Sequence, residues 1–233
     1  MTGKLTIQWL GHGTFLLTSP GGKRVLFDPW LVANKTCPDE CKSIGKVDLI
    51  LVTHGHSDHV SDVVSVARST HAPVVAIHEL SLWLRQKGVQ QVHGMNKGGT
   101  ITLAGLDVTM VTAQHSSSLE VDGQLVYLGE PAGYVIRLED GRVIYFAGDT
   151  DVFSDMALIK RLYEPEIAFL PIGDHYTMGP KGAALAAELL GVHQVVPMHY
   201  GTFPLLTGTP DALRLLLPSG VDLLELKPGE TAI

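Results

Sequence analysis

Thr53-His54-Gly55-His56-Ser57-Asp58-His59 is the most informative stretch of this 233-residue sequence. It follows directly after residues 47–52 (VDLILV), a nearly continuous apolar run that predicts a strand covered on both faces. Imidazole and carboxylate are the ligands that Zn²⁺ and similar first-row cations use. Small residues separate the four candidate ligands, so His54 and His56 can point to one ion while Asp58 and His59 turn toward a second. The stretch therefore predicts a metal site at the end of a buried strand.

One loop cannot complete two coordination spheres, so further ligands are expected elsewhere in the chain. Ligands and catalytic groups tend to gather outside the carboxyl ends of strands, where a rigid scaffold holds them. Three other predicted strands, at residues 106–113, 143–147 and 195–197, are followed by the candidate ligands His115, Asp149 and His199.

Short β-rich runs alternate with turns and some helices along the chain. Strands outnumber helices and several look like adjacent hairpins, so a strict βαβ alternation does not fit, and two packed sheets with helices outside them fit better. The remaining predicted strands are residues 5–10, 14–18, 24–27, 74–77, 134–138 and 167–170, and the predicted helices are residues 60–68, 153–162, 181–190 and 210–217.

Composition and charge exclude several classes of protein. The formal charge is −7 with histidine neutral, which argues against a general polyanion binder, because nucleic-acid affinity rests on clustered Lys and Arg. No uninterrupted apolar run of about 18 residues is present, so no membrane-spanning helix is expected. The N-terminal apolar residues are broken by Gln8 and His12, so no secretory signal is expected either. With only two cysteines, the default expectation is a cytoplasmic enzyme.

The order of these motifs resembles the metallo-β-lactamase superfamily: HxHxDH, then a His, then Gly148-Asp149-Thr150, then a final His. Three further runs make the resemblance more specific: Trp9-Leu10-Gly11-His12, Phe27-Asp28-Pro29 and Thr177-Met178-Gly179-Pro180. They resemble an uncharacterised branch of bacterial and archaeal metal-dependent hydrolases, close to L-ascorbate-6-phosphate lactonase. The resemblance covers nearly the whole chain. It implies one domain over residues 1–233, an α/β fold built as a four-layer αββα sandwich, and a dinuclear metal site at one edge of the two sheets.

The resemblance also implies a role for each ligand. The first metal would take His54, His56 and His115, the second would take Asp58, His59 and His199, and Asp149 would bridge both. A hydroxide held between two cations is a nucleophile near neutral pH, with Asp58 and Asp149 as the catalytic carboxylates. Zn²⁺ or Mn²⁺ is the expected metal, and Fe²⁺ or Ni²⁺ is the alternative.

The predicted reaction is the hydrolysis of a small ester or lactone. Cys37 and Cys41 match no ligand position, whereas the commonest true β-lactamases place a Cys in the second metal site. His56 stands where the diiron oxygen-reductase branch usually has a Glu, which argues against redox chemistry. Two divalent cations would change the formal charge from −7 to −3 and make the pocket electropositive, which favours an anionic substrate.

Two alternatives stay open at this point. The first is a phosphodiesterase that acts on nucleotides or nucleic-acid ends, and the second is a catalytically silent metal-binding or regulatory module. The expected partner is a small-molecule substrate. No membrane partner is expected, nucleic acid is not favoured, and the sequence does not decide whether the chain forms a homo-oligomer.

Three further residues are candidates for contact with the substrate. His12 lies between two glycines and is interpreted as a substrate contact or a partner of a ligand, or otherwise as a capped turn histidine. His175 follows a predicted strand and could contact substrate or donate a proton, or could simply be an exposed loop histidine. The phenol of Tyr200 could stabilise an oxyanion, although its place next to His199 could equally turn it away from the site.

Other residues have weaker interpretations. The sequence leaves a disulfide loop, a third metal site or two free thiols open for Cys37 and Cys41, with the reduced pair as the default. Four histidines match no motif and are interpreted as ordinary surface or edge residues: His71, His78, His93 and His193.

Overall fold

The computed structural model describes residues 3–232, and two large sheets dominate it. From edge to edge, the first sheet contains β16 (Thr231–Ala232), β1 (Thr6–Trp9), β2 (Phe15–Thr18), β3 (Arg24–Phe27), β4 (Leu49–Leu51), β5 (Val74–Ile77) and β6 (Val92–Met95). The second contains β15 (Asp222–Leu223), β14 (Gln194–Met198), β13 (Ile167–Pro171), β12 (Val143–Phe146), β11 (Ala132–Arg137), β8 (Leu106–Thr112) and β7 (Thr100–Leu103). A separate hairpin pairs β9 (Ser118–Val121) with β10 (Gln124–Tyr127).

The helices cover the outer faces of the sheets. They are α1 (Ser57–Val60), α2 (Val63–Thr70), α3 (His78–Gln86), α4 (Met156–Tyr163), α5 (Pro180–Leu190) and α6 (Pro210–Arg214), with a short 3₁₀ turn at Asp39–Cys41. Helix α3 contacts β5 and β6 of the first sheet, whereas α5 contacts β13 of the second sheet and also packs against α4 and α6. This is the predicted αββα order of layers. In the part of the chain that the structure describes, no helix is long and apolar enough to cross a bilayer.

The core lies between the two sheets and is built on aromatic rings. Phe27 of β3 stacks on Phe146 of β12 with ring centroids 4.2 Å apart, and Phe15 of β2 meets Phe169 of β13 edge-on at 5.0 Å. All four side chains are fully buried. Each such ring removes on the order of 150–250 Å² from water, so these contacts hold the inner faces of the sheets together.

Both sheets direct their parallel strands toward one common edge. In the first sheet β3, β4, β5 and β6 run parallel, and in the second β12, β13, β14 and β15 do so. Two hydrogen bonds tie the sheets together at this edge: Tyr134 Oη donates to the Val52 carbonyl at 2.8 Å, and Ala132 N donates to the Thr53 carbonyl at 3.0 Å. The loops that follow the parallel strands are therefore brought together on a fixed frame.

Several elements were not predicted from the sequence, namely α1, α3, β6, β7, β9, β10, β15 and β16. The described structure contains Cys37 and Cys41 as free thiols, in agreement with the default expectation. Burial raises the pKa of Cys37 to about 11, so this thiol stays protonated at neutral pH.

Candidate metal centre

The candidate ligands lie in loops that follow strands of both sheets. After β4 the chain passes through residues 52–56 into helix α1, which carries Asp58 and His59. The remote candidates each lie within three residues of the end of β8, β12 or β14, and they are His115, Asp149 and His199. Because these strand ends meet at the same edge, side chains far apart in sequence are brought together there.

The first group consists of three imidazoles whose ring nitrogens face one another. His56 Nδ1 lies 3.1 Å from His54 Nε2 and 3.3 Å from His115 Nε2. The opposite nitrogen of His54 lies 2.9 Å from the Thr53 hydroxyl. Three facing imidazole nitrogens cannot all be satisfied by one another, because a neutral imidazole has one donor and one acceptor nitrogen. A cation among them would satisfy all three.

The second group contains Asp58, His59 and His199, with His12 beside them. The ligand-type atoms of this group lie within 4.8 Å of one another. His12 Nε2 is 2.9 Å from Asp58 Oδ2, and its Nδ1 is 3.0 Å from the Thr202 hydroxyl. His12 therefore holds the Asp58 carboxylate in place and is itself held by the loop after β14.

Asp149 lies between the two groups. Its Oδ2 is 3.9 Å from His54 Nε2 and 3.6 Å from His115 Nε2 in the first group. The same oxygen is 3.4 Å from His59 Nε2 and 3.0 Å from His199 Nε2 in the second. One carboxylate is thus within reach of both groups, which is the position expected of a bridging ligand.

A buried carboxylate that the sequence analysis did not assign, Asp28, supports the second group. It follows β3, and its Oδ2 accepts a hydrogen bond from His59 Nδ1 at 2.8 Å. The Thr53 backbone N–H and hydroxyl donate to the same carboxylate, each at 2.7 Å. With Nδ1 donating to Asp28, Nε2 of His59 is the nitrogen that faces the cluster, which is how outer carboxylates orient metal-binding histidines.

The backbone at the site is strained. His12, Asp28 and His199 have φ values of 56°, 44° and 57°, in the left-handed region that residues other than glycine rarely adopt. Such conformations cost on the order of 1–3 kcal/mol each and persist only where the surroundings impose them. Gly13 is needed for a steric reason, because a Cβ atom at this position would lie 2.8 Å from Cε1 of the His59 ring.

Burial and charge separate the protonation states of the two groups. Burial lowers the pKa of all three first-group histidines, so His54, His56 and His115 are neutral and able to bind a cation. Burial is the largest single effect on His59 and His199 and acts to lower their pKa values, but the neighbouring carboxylates, Asp149 first among them, together outweigh it. The pKa of His199 is raised to about 9, and that of His59 is raised well above its usual range.

The donor set fits two divalent cations. Within residues 3–232, two buried ligand-type atoms of the cluster have no hydrogen-bond partner, His59 Nε2 and Asp149 Oδ1. Unsatisfied buried polar atoms are rare in proteins, and an unrepresented ion is one of their ordinary explanations. The ligands are nitrogen and oxygen atoms without thiolate, which suits Zn²⁺, Mn²⁺, Fe²⁺ or Ni²⁺.

A cavity of about 920 Å³ opens over the cluster. Asp58, His56, His115, Asp149 and His199 form its floor. Its volume is within the range of ligand pockets in proteins, roughly 300–1,000 Å³.

In the described structure none of the three candidate substrate contacts lines the pocket, and each takes the alternative place that the sequence left open. His12 is fully buried beneath Asp58 and does not line the pocket, so it acts on the carboxylate instead. His175 is exposed on a turn with φ 56°, and it lines a neighbouring groove while Tyr176 lines the pocket. Tyr200 stacks on Trp9 with ring centroids 5.0 Å apart and packs against the core.

The four histidines without a motif match their expected surface or edge positions. His71, His78 and His193 are exposed, and His93 is half-buried in β6.

Comparison with known proteins places the chain in a family. Residues 23–200 match the pattern described as the beta-lactamase superfamily domain. A protein of Solibacter usitatus named UPF0173 metal-dependent hydrolase is 53% identical over 227 residues, which cover 97% of this chain and 98% of that protein. A protein of the same name from Archaeoglobus fulgidus is 45% identical and covers 97% and 98%.

A solved structure agrees with these relatives. It is described as a novel metallo hydrolase from the hyperthermophilic archaeon Ignicoccus hospitalis, with 36% identity, a TM-score of 0.87, and coverage of 98% of this chain and 97% of that one. The two groups of candidate ligands lie at the common edge of the two sheets in this chain. The chain belongs to the beta-lactamase superfamily and, within it, to the metal-dependent hydrolases named UPF0173.

Proposed function

We propose that this metal-dependent hydrolase binds two divalent cations and hydrolyses a carboxylic ester or lactone. His54, His56 and His115 would hold the first cation, Asp58, His59 and His199 would hold the second, and Asp149 would contact both. The observation that carries this proposal is the position of Asp149 Oδ2, within 4 Å of ring nitrogens from both histidine groups. The choice of a lactone among esters rests on the sequence resemblance alone.

The cations supply Lewis acidity and, when bound, lower the pKa of coordinated water toward about 7. The nitrogen and oxygen ligand set favours Zn²⁺ or Mn²⁺, with Fe²⁺ or Ni²⁺ as alternatives.

The side chains of this chain would divide the remaining work. Asp28 keeps the His59 ring turned toward the cluster. His12 holds Asp58 Oδ2, while the Asp58 side chain is partly exposed and lines the pocket. Against the effect of burial, His59, His12 and His199 hold the pKa of Asp58 well below its usual range, so Asp58 stays ionised as a ligand at the pocket. The buried Asp149 would fix the spacing of the two histidine groups. His175 and Tyr200 have no part in this scheme.

The test is a substrate panel on metal-loaded protein, with bound metal measured on the same samples. Hydrolysis of γ-butyrolactone or p-nitrophenyl acetate with about two ions per chain is the expected result. His199→Ala should abolish turnover and reduce bound metal to about one ion or less, because second-group ligation is lost.

Other outcomes separate the alternatives. Hydrolysis of bis-p-nitrophenyl phosphate without ester or lactone turnover would reverse the assignment in favour of a phosphodiesterase. Two tightly bound ions with no turnover of any substrate would support a silent metal-binding module. Full activity after exhaustive removal of metal contradicts the proposal.

A further inference from the structure

Part of the pocket lining is apolar, and it is called the wall below. It consists of Trp30, Tyr176 and the consecutive residues Phe203, Pro204 and Leu205. The rings of Trp30 and Phe203 stack with centroids 5.9 Å apart, so they present a continuous aromatic surface. Trp30 is only 8% exposed, whereas Phe203, Leu205 and Tyr176 are 37%, 51% and 52% exposed, so these three side chains form most of the surface that is open to a ligand.

Apart from the candidate ligand histidines, the described lining of this cavity offers no cationic side chain to an anionic substrate. Within the described residues, its lining contains no Lys and no Arg. Among the described residues, the carboxylates in its lining are Asp58 and Asp149, which belong to the candidate metal centre. Its other polar groups are the hydroxyls of Ser57, Ser61 and Ser116, besides the candidate ligand histidines and the Tyr176 phenol. Away from the centre, the described lining contains no charged side chain that would compensate a charge on the substrate.

The wall and the centre are linked through one loop. Phe203 follows Thr202, whose hydroxyl is 3.0 Å from His12 Nδ1, and the Phe203 ring lies edge-on to His12 with centroids 5.4 Å apart. An apolar group bound on the wall is thus adjacent to the side chain that holds Asp58. This arrangement orients a two-ended substrate, with its reacting carbonyl at the cluster and its apolar end on the wall.

We infer that the substrate carries an uncharged, apolar aryl or alkyl group next to the bond that is cleaved, and that Trp30, Phe203 and Leu205 bind this group. This inference rests on the proposed ester or lactone hydrolysis and specifies its substrate class. The electropositive centre made an anionic substrate the sequence-based expectation. The wall favours the opposite for the part of the substrate that does not react, because removing a charge from water without a partner is costly.

The first experiment compares lactones that differ only in the tail. kcat/KM is measured for γ-butyrolactone, γ-hexalactone and γ-nonalactone, and for an analogue of γ-nonalactone whose tail ends in a carboxylate. Each methylene that the wall buries fully is worth roughly a fourfold gain. We expect kcat/KM to rise along the alkyl series and to fall at least about tenfold for the carboxylate analogue.

The second experiment measures binding without turnover. The neutral fluorophore N-phenyl-1-naphthylamine is titrated into metal-loaded protein, and γ-nonalactone is used to displace it. Leu205→Ala should weaken the Kd of the probe roughly three- to tenfold, since about three carbons of contact are removed from a half-exposed side chain. Leu216→Ala is the matched control, because Leu216 is 50% exposed and does not line the pocket, and it should leave the Kd unchanged.

The outcomes distinguish failure of the inferred apolar specificity from failure of the proposed reaction. Lactone turnover that ignores tail length, or that prefers the carboxylate tail, overturns the inference and leaves the proposed function intact. Probe binding that is weakened equally by both leucine variants also overturns it. Probe binding that depends on Leu205 without turnover of any lactone keeps the apolar specificity and removes the proposed reaction.

Discussion

The most informative single substitution is Asp28→Asn, which changes one charge beneath the second group of ligands. Asparagine tolerates the left-handed backbone at this position, where φ is 44°. Its amide oxygen can still accept from the Thr53 N–H, which leaves the NH₂ group facing His59 Nδ1. Two donors then oppose each other. The imidazole is expected to move its proton to Nε2, the nitrogen that should bind the cation.

The expected magnitude follows from the bond that is lost. Outer partners of this kind contribute roughly 10- to 100-fold to metal affinity, so the second site should weaken by that factor while the three-histidine site is unchanged. A hydrogen bond to a charged group contributes about 1.5–3 kcal/mol, and Asp28 is fully buried. The free energy of unfolding should therefore fall by about that amount.

Two measurements check this prediction. Calorimetric titration with Zn²⁺ or Mn²⁺ should resolve two sites in the natural protein and a weakened second site in Asp28→Asn, while denaturant unfolding gives the change in stability. Asp48→Asn serves as the control, because Asp48 Oδ2 also accepts a backbone N–H, from Arg24 at 3.0 Å, but lies away from the cluster. If both sites of Asp28→Asn bind the metal as tightly as those of the unsubstituted protein, the orienting role of this carboxylate is refuted.

Three further predictions concern the same centre. The pKa of His199 is raised to about 9 in the folded, metal-free protein, against about 6.5 in the unfolded chain. The stabilisation from its protonation is therefore complete below about pH 6.5 and is lost as the pH rises through 9. The free energy of unfolding of the metal-free protein should fall by about 3 kcal/mol between these pH values. His12→Ala removes the partner of Asp58 Oδ2, and kcat should fall at least about tenfold while the first site keeps its metal. Gly13→Ala forces its new Cβ against the His59 ring, and elemental analysis should find about one ion per chain in place of two.

Each of these has a control and a contradicting result. The fall in stability between pH 6.5 and 9 should disappear in metal-loaded protein, and its persistence there would show that another group titrates. Unchanged kcat in His12→Ala would mean that Asp58 needs no support. Gly45→Ala is the control for Gly13→Ala, because a Cβ at Gly45 meets nothing closer than 3.8 Å, and equal metal loss in both variants would point to general misfolding.

The sequence predicted the parts of the centre that depend on local pattern. Apolar runs mark buried strands, and ligand-type residues that follow them must lie near the same sheet edge once the strands are parallel. His54, Asp149 and His199 were therefore identifiable without coordinates. The hairpin of β9 and β10 could also have been predicted from the sequence, because Asp122-Gly123 is a favoured hairpin turn. Both residues have positive φ in the structure, as such a turn requires.

The parts that depend on register and side-chain direction could not be predicted. Asp28 reaches His59 only because β3 pairs in parallel with β4, with Phe27 opposite Leu51, so that the residue after β3 lies beside the start of the histidine loop. No spacing in the sequence fixes that pairing. His175 and Tyr200 follow strands as the candidate ligands do, but a left-handed turn at His175 and a stacking contact of Tyr200 with Trp9 direct their rings elsewhere.

The central claim is that two cations share the Asp149 carboxylate, and anomalous diffraction from crystals of metal-loaded protein tests it most directly. Data collected on both sides of the absorption edge of the bound metal identify the element and locate each ion. The account predicts two anomalous peaks, one among His54, His56 and His115 and the other among Asp58, His59 and His199, with Asp149 between them. A single peak at saturating metal, or a second peak away from Asp149, would contradict it.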